Sequence, residues 1–335
     1  IGRIYTEREE FDQALKLIKS ALDTFQSIDS ESGKLKSYRA LGYCWYKQDE
    51  YAAAIDYYKQ AIEILEEIRE NLEIEEDRRN FAAGAHSVYE SMVLTLVEDE
   101  NTVDAYNYVE RSRARSFLDL MGGGKIEIGK SRHREYIKAA YEKDNPSPLY
   151  SSGKPAGGEQ YAATMRGIIL PHEREAVTFE PEFKSLISVN SLELRDIQRL
   201  LKNDETIVEY YVTGRKLLLW TIDRNSYRFL AADIDEKTLT DDITDFRLAI
   251  MEKHDTGSLS RKLYDLLIAP VEGKIRGGKL IIIPHGSLHY LPFAALMDEQ
   301  GKYLLEKYQI SYLPSASVKK YLIPKKRKEL NTLLA

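Results

Sequence analysis

Cysteine occurs once in these 335 residues, at Cys44, so no intramolecular disulfide can form and a reducing compartment is expected. Positive charge is not in excess either. Lys plus Arg number 48 against 54 Asp plus Glu, and a net charge of −6 supplies no global basic field to gather nucleic acid. No apolar run approaches the ~20 residues that span a bilayer and no signal peptide opens the chain, which predicts a cytoplasmic protein without membrane partners. A phosphate loop is missing too. Asp119 stands where the glycine before Gly124-Lys125 belongs, and the better-spaced Gly273 and Lys279 are followed by Leu280 instead of Ser or Thr. What is present, 43% hydrophobic and 30% charged residues, describes a globular protein long enough for two domains. Ile1 already lies in a helical pattern, so the chain reads as a fragment with more repeats before it.

Residues 1–28 align without a gap on 41–68, an offset of 40: Gly2 with Gly42, Glu10 with Glu50, Ala14 with Ala54, Lys19 with Lys59 and Ala21 with Ala61. Tyr5 faces Trp45, and Phe11 faces Tyr51. Glycine and alanine let antiparallel helices approach while aromatics fill the gaps between turns. This pattern resembles tetratricopeptide repeats. A degenerate third unit covers 93–120, with Ala105 matching Ala54 at an offset of 51, and the acidic run 73–77 is expected to extend the helix before it. Cys44 reads as helix-packing filler. Tyr57 and Tyr58 are candidates for a partner-binding groove, with core packing as the competing reading. Arg111 and Arg115, one turn apart, could hold an anion, against a solvated or carboxylate-paired face.

Gly122-Gly123-Gly124 ends the helical region, because glycine is costly inside a helix. Residues 145–158, rich in Pro, Ser and Gly, predict a mobile surface loop. Beyond it, Ser191 is expected to cap a helix at 192–201. Strands follow at 206–212, 216–222 and 227–231, then helices at 237–253 and 259–269. The continuous apolar run 280–283 predicts a strand covered on both faces. Ser315 is expected to cap a short helix at 315–322. The basic groups at Lys319-Lys320 and Lys325-Lys326-Arg327-Lys328 read as a solvated surface.

After the strand at 280–283 come Pro284, His285, Gly286, His289, Pro292 and Phe293. The two prolines and the glycine forbid a helix that would bring both histidines to one metal. No metal or cofactor is expected. Ser287 lacks the Gly-x-Ser-x-Gly elbow of a serine hydrolase. The imidazoles are expected to bond the loop backbone or line a cleft. With the flanks Leu263-Tyr264-Asp265-Leu266-Leu267-Ile268-Ala269-Pro270, Tyr303-Leu304-Leu305 and Ile310-Ser311-Tyr312-Leu313-Pro314-Ser315-Ala316-Ser317, this stretch resembles the first half of a CHAT domain. That family is related to caspases and separases and is commonly fused to tetratricopeptide repeats. The run Glu110-Arg111-Ser112-Arg113-Ala114-Arg115 is similar to the segment that joins the two.

The resemblance implies α-helical tetratricopeptide-like repeats at 1–123 and a helical connector at 124–190. The N-terminal part of a caspase-like α/β domain then occupies 191–335, incomplete at its C-terminal side. It implies cysteine peptidase chemistry by a His-Cys dyad, a regulatory protein partner or substrate on the repeats, and a role in bacterial or archaeal defence or cell-death signalling. Nucleic acid would enter only through an RNA-guided effector complex. The family's His-Gly and Ala-Cys motifs do not follow Leu296, no histidine lies beyond His289 and no cysteine beyond Cys44. No residue here is therefore assigned as catalytic, and a non-catalytic interaction scaffold is the competing reading.

Overall fold

The computed structural model describes residues 1–71, 75–122 and 191–322, with side chains for 1–68, 87–113, 191–320 and 322. The connector at 124–190, its loop at 145–158 and the basic run 325–328 lie outside the described residues. The chain divides into two compact units, one of Ile1–Met92 with Ala114–Val189, the other of Val93–Arg113 with Asn190–Ala335.

The first unit is helical: α1 (Gly2–Glu7), α2 (Phe11–Ser27), α3 (Glu31–Tyr46), α4 (Tyr51–Asn71) and the start of α5 (Glu75–Glu98). Of the acidic run expected to extend α4, residues 73–74 lie outside the described residues, and the last three open α5. Ala14, Ile18, Leu22, Leu41 and Cys44 form a buried core, with Tyr5, Phe11, Tyr38 and Tyr57 packed on it. Burial pushes the Cys44 thiol above its ordinary pKa, which suits packing rather than nucleophilic attack. The matched glycines mark close approaches. A Cβ on Gly42 would lie 2.8 Å from the Tyr58 ring, and one on Gly2 would lie 2.4 Å from Ile18.

The repeat is also written in the backbone. Glu9, Asp49 and Glu100 each adopt positive φ, at 61°, 59° and 58°. In each case the next amide reaches back to the carbonyl five residues earlier: Glu10 to Tyr5, Glu50 to Trp45 and Asn101 to Leu96. This is a left-handed helix stop, and it recurs at offsets of 40 and 51.

The second unit is built on a five-stranded sheet of order β3-β2-β1-β4-β5. Its strands are β1 (Glu205–Val212), β2 (Lys216–Ile222), β3 (Tyr227–Asp233), β4 (Lys279–Ile283) and β5 (Gln309–Tyr312). β1 pairs antiparallel with β2 and parallel with β4, and β5 runs parallel to β4. Val208, Tyr210, Leu217, Leu219, Leu280 and Ile282 share one buried core with Leu239, Ile243 and Phe246 of α8 (Glu236–Met251) and Leu263 and Leu267 of α9 (Gly257–Leu267). On the other face stands Trp220, whose indole N–H donates to the Thr102 carbonyl and whose ring meets Tyr106 edge-on at 6.0 Å. Both residues belong to α6 (Thr102–Gly122), so α6 supplies a layer of the α/β unit. The sheet is covered on both faces, as the unbroken apolar run of β4 requires.

Some boundaries move for local reasons. The helix expected from Ser191 is α7, Leu194–Leu200, with Glu193 at its N-cap and no side-chain cap. The Leu192 amide donates instead to Ser317 Oγ, which takes that residue out of the helix. Asp235 caps α8 by accepting from the Thr238 amide, so this helix starts one residue before the expected 237. Pro270 lies in a separate short helix, Ala269–Glu272, after α9. Ser315 caps as expected, but the segment it opens is a 3-10 helix, Ala316–Tyr321.

Gly42→Ala should cost about 1–3 kcal/mol, the range for overpacking an interior, because the added methyl would meet the buried Tyr58 ring at 2.8 Å and force it to shift. Urea denaturation of the two proteins measures the difference, and an unchanged midpoint would show that α3 and α4 are free to separate.

Candidate functional site

β1 and β4 pair as far as Glu209 and Ile283, and Pro284, which has no N–H, follows. Side chains take over where the ladder stops. Arg113 of α6 donates through Nη1 to the Pro284 carbonyl at 2.8 Å and through Nη2 to the Tyr210 carbonyl. Just beyond these carbonyls, the Val212 amide donates to His285 Nδ1 at 3.1 Å, and the Tyr211 and His285 rings meet at a tilt with centroids 4.4 Å apart. With Nδ1 accepting, the ring proton of neutral His285 lies on Nε2. That nitrogen is then a donor and cannot take a proton from a thiol while the Val212 bond is kept.

Gly286 turns the chain at a φ of +56° into a 3-10 helix, Gly286–Tyr290. His289 projects from it and is exposed. Desolvation, with the positive charge of Arg113 as a second cause, lowers its pKa to about 4. It is neutral at pH 7. The Ser287 hydroxyl is enclosed and meets no hydrogen-bond partner among the described residues, a poor position for a nucleophile. Phe293 is buried against Tyr210 at 5.5 Å and Tyr312 at 6.2 Å, so it returns the loop to the core after Pro292. The loop residues singled out from sequence therefore gather at one sheet edge. Among the described residues no group of His, Cys, Asp and Glu could hold a metal ion.

The sequence reading missed α6's part in this edge. Asn107, Glu110 and Arg113 recur every three residues and share one helix face. Asn107 accepts from the Leu194 amide at 3.1 Å. Glu110, fully buried, accepts from the Ser315 and Ser317 hydroxyls and the Ala316 and Ser317 amides, at 2.5–3.0 Å. Arg113 Nε lies 2.9 Å from Glu209 Oε1. Burial, reinforced by the Glu110 carboxyl and opposed by Arg113, pushes the Glu209 carboxyl well above the usual range. A glutamate inside a strand buried at every position was the available signal. Arg111, chosen instead, lies over the Tyr108 ring at 6.0 Å, and the Arg115 side chain lies outside the described residues. The expected solvated lysines divide: Lys320 is exposed, whereas Lys319 is half-buried and pairs with Glu205 at 2.9 Å.

In the helical unit, a groove of about 310 Å³ is lined by Arg3, Lys36, Arg39, Tyr43, Tyr58 and Ser91 among others. Arg3 is drawn to Glu7 at 3.9 Å, while neither Lys36 nor Arg39 has an ion-pair partner among the described residues. Tyr58 contributes its edge to this groove while packing on Gly42, and Tyr57 packs near Tyr38 at 6.4 Å.

A family model for the tetratricopeptide repeat matches residues 1–67, and one for the CHAT domain matches residues 257–334. The chain thus joins tetratricopeptide repeats, which mediate protein–protein contacts, to a CHAT domain. The CHAT match opens at α9 and takes in β4, the histidine loop and β5, while β1, β2 and β3 of the same sheet precede it. No curated protein matches the chain. No helix among the described residues is long and apolar enough to cross a membrane.

An unfolded His289 would titrate near 6.5 and the folded one near 4, so between those values the unfolded chain binds the extra proton. Stability should therefore fall as pH drops from about 6.5 to 4, and His289→Gln should lose less over that window. Melting curves at several pH values test this. A His289 ring-proton titration with a midpoint near 6.5 would overturn it.

Proposed function

We propose that the chain is the N-terminal and middle portion of a repeat-fused, caspase-like cysteine endopeptidase, whose repeats dock a regulatory protein partner in prokaryotic defence or cell-death signalling. The observation that carries this reading is the pairing of a repeat match with a CHAT match that includes the histidine loop at the sheet's carboxyl edge. Open α/β sheets place their chemistry at that edge. His285 and His289 serve there as architecture and cleft lining, and the dyad is assigned to strands that follow β5. The imidazole of that dyad would take the thiol proton, and the thiolate would attack the peptide carbonyl. The location this implies is the cytoplasm.

A non-catalytic scaffold is the second reading. It is favoured by Cys44, a buried thiol with a raised pKa, as the sole cysteine among the 335 residues. The encoding DNA beyond the codon for Ala335 separates the two. Strand-ending His-Gly and Ala-Cys pairs in a continuing frame would support the peptidase, and a stop codon would sink it.

For the repeats, Lys36 and Arg39, which have no ion-pair partner among the described residues, in a groove of a net-negative chain favour an acidic segment of the partner. Fluorescein-labelled hexaglutamate should bind at low salt, and Lys36→Glu with Arg39→Glu should weaken it about tenfold or more without loss of helicity. Equal binding by the variant would remove the groove from the docking surface.

A further inference from the structure

We propose that Arg113 is a positioning residue for the sheet's carboxyl edge, and that Glu110, one turn earlier on α6, keeps it in place. The proposal rests on reading that edge as the reactive side of the fold, but its test does not use peptide hydrolysis.

A single guanidinium, 9% exposed, spans β1 and β4 one residue before the Tyr211 and His285 pair. The β1–β4 ladder ends at Glu209 and Ile283, so backbone pairing does not carry the two strands past that point. Arg113 supplies the closure by holding the Tyr210 and Pro284 carbonyls together. The path of the chain through Pro284 sets where His285 Nδ1 can meet the Val212 amide. A lysine could not do the same, because its ammonium is a point charge without the planar fork that reaches two carbonyls and a carboxyl at once.

Glu110 fixes the helix that carries the fork. Its carboxyl binds the turn at Ser315, Ala316 and Ser317, just past β5, and Ser317 Oγ in turn accepts from the Leu192 amide. One helix face thus reaches the ends of β1, β4 and β5. Displacement of α6 would alter the edge through Arg113 before it disturbed the core on the opposite face, where α8 and α9 pack.

The test uses the 335-residue chain labelled with ¹⁵N. In the native protein, the His285 nitrogens should show the Nε2–H tautomer and the Val212 amide should be protected from exchange. Arg113→Gln should speed Val212 exchange about tenfold or more and shift the His285 nitrogen signals. Arg113→Lys should restore part of the protection. Glu110→Gln should move both readouts in the same direction, whereas Arg111→Gln, on the neighbouring position, should leave them unchanged. If Val212 protection and the His285 signals stay native in folded Arg113→Gln while only the melting temperature falls, Arg113 is structural filler and the proposal fails. Should Arg113→Gln not fold, native readouts in both Arg113→Lys and Glu110→Gln would overturn it equally.

Discussion

A guanidinium withdrawn from water must be met by acceptors at fixed places, since an isolated buried charge costs several kcal/mol. Arg113 meets that requirement with two backbone carbonyls and one carboxyl, all belonging to the sheet. Much of the second unit follows from it. α6 must lie across the sheet face that bears Glu209 and Trp220, the strand pair must end at Pro284, and the histidine loop must leave at that point. Apolar packing alone would tolerate a sliding helix, because hydrophobic burial has no direction. The hydrogen bonds of Asn107, Glu110 and Arg113 do not tolerate it.

Two carboxyls near one guanidinium could leave an unbalanced charge in a dry interior. The arrangement divides the task. Glu110 faces two amides and two hydroxyls, a set of donors suited to a carboxylate. Glu209 lies with Oε1 2.9 Å from Arg113 Nε, and burial, reinforced by the Glu110 carboxyl, raises its pKa toward the protonated form. The same guanidinium charge, with desolvation, keeps the imidazole of His289 neutral.

Much of this was legible in the amino-acid order. The offset of 40 located the glycines that touch neighbouring side chains. Alternation and apolar runs placed β1, β2 and β4 to within a residue. β5 was not assigned as a strand. It has four residues at the sheet edge, and its pattern of exposure lacks the buried run that marks β4. The polar stripe of α6 escaped notice because Glu-Arg-Ser-Arg resembles any solvated helix face. Its meaning depends on acceptors and donors contributed from more than eighty residues away. Local spacing says that Glu110 and Arg113 share a face, but only the fold says what that face meets.

The end of α5 and the start of α6 turn in register with the repeats and yet pack as a layer of the sheet. An excision of the α/β unit at the triglycine after α6 would strip that layer and bare Trp220 and Glu209 to solvent. A cut near Val93 would spare it. Repeats before that point can be added, lost or exchanged as modules, each contacting its neighbours alone. The last helical turn-and-helix cannot be traded in this way, because its side chains complete the buried face of the sheet.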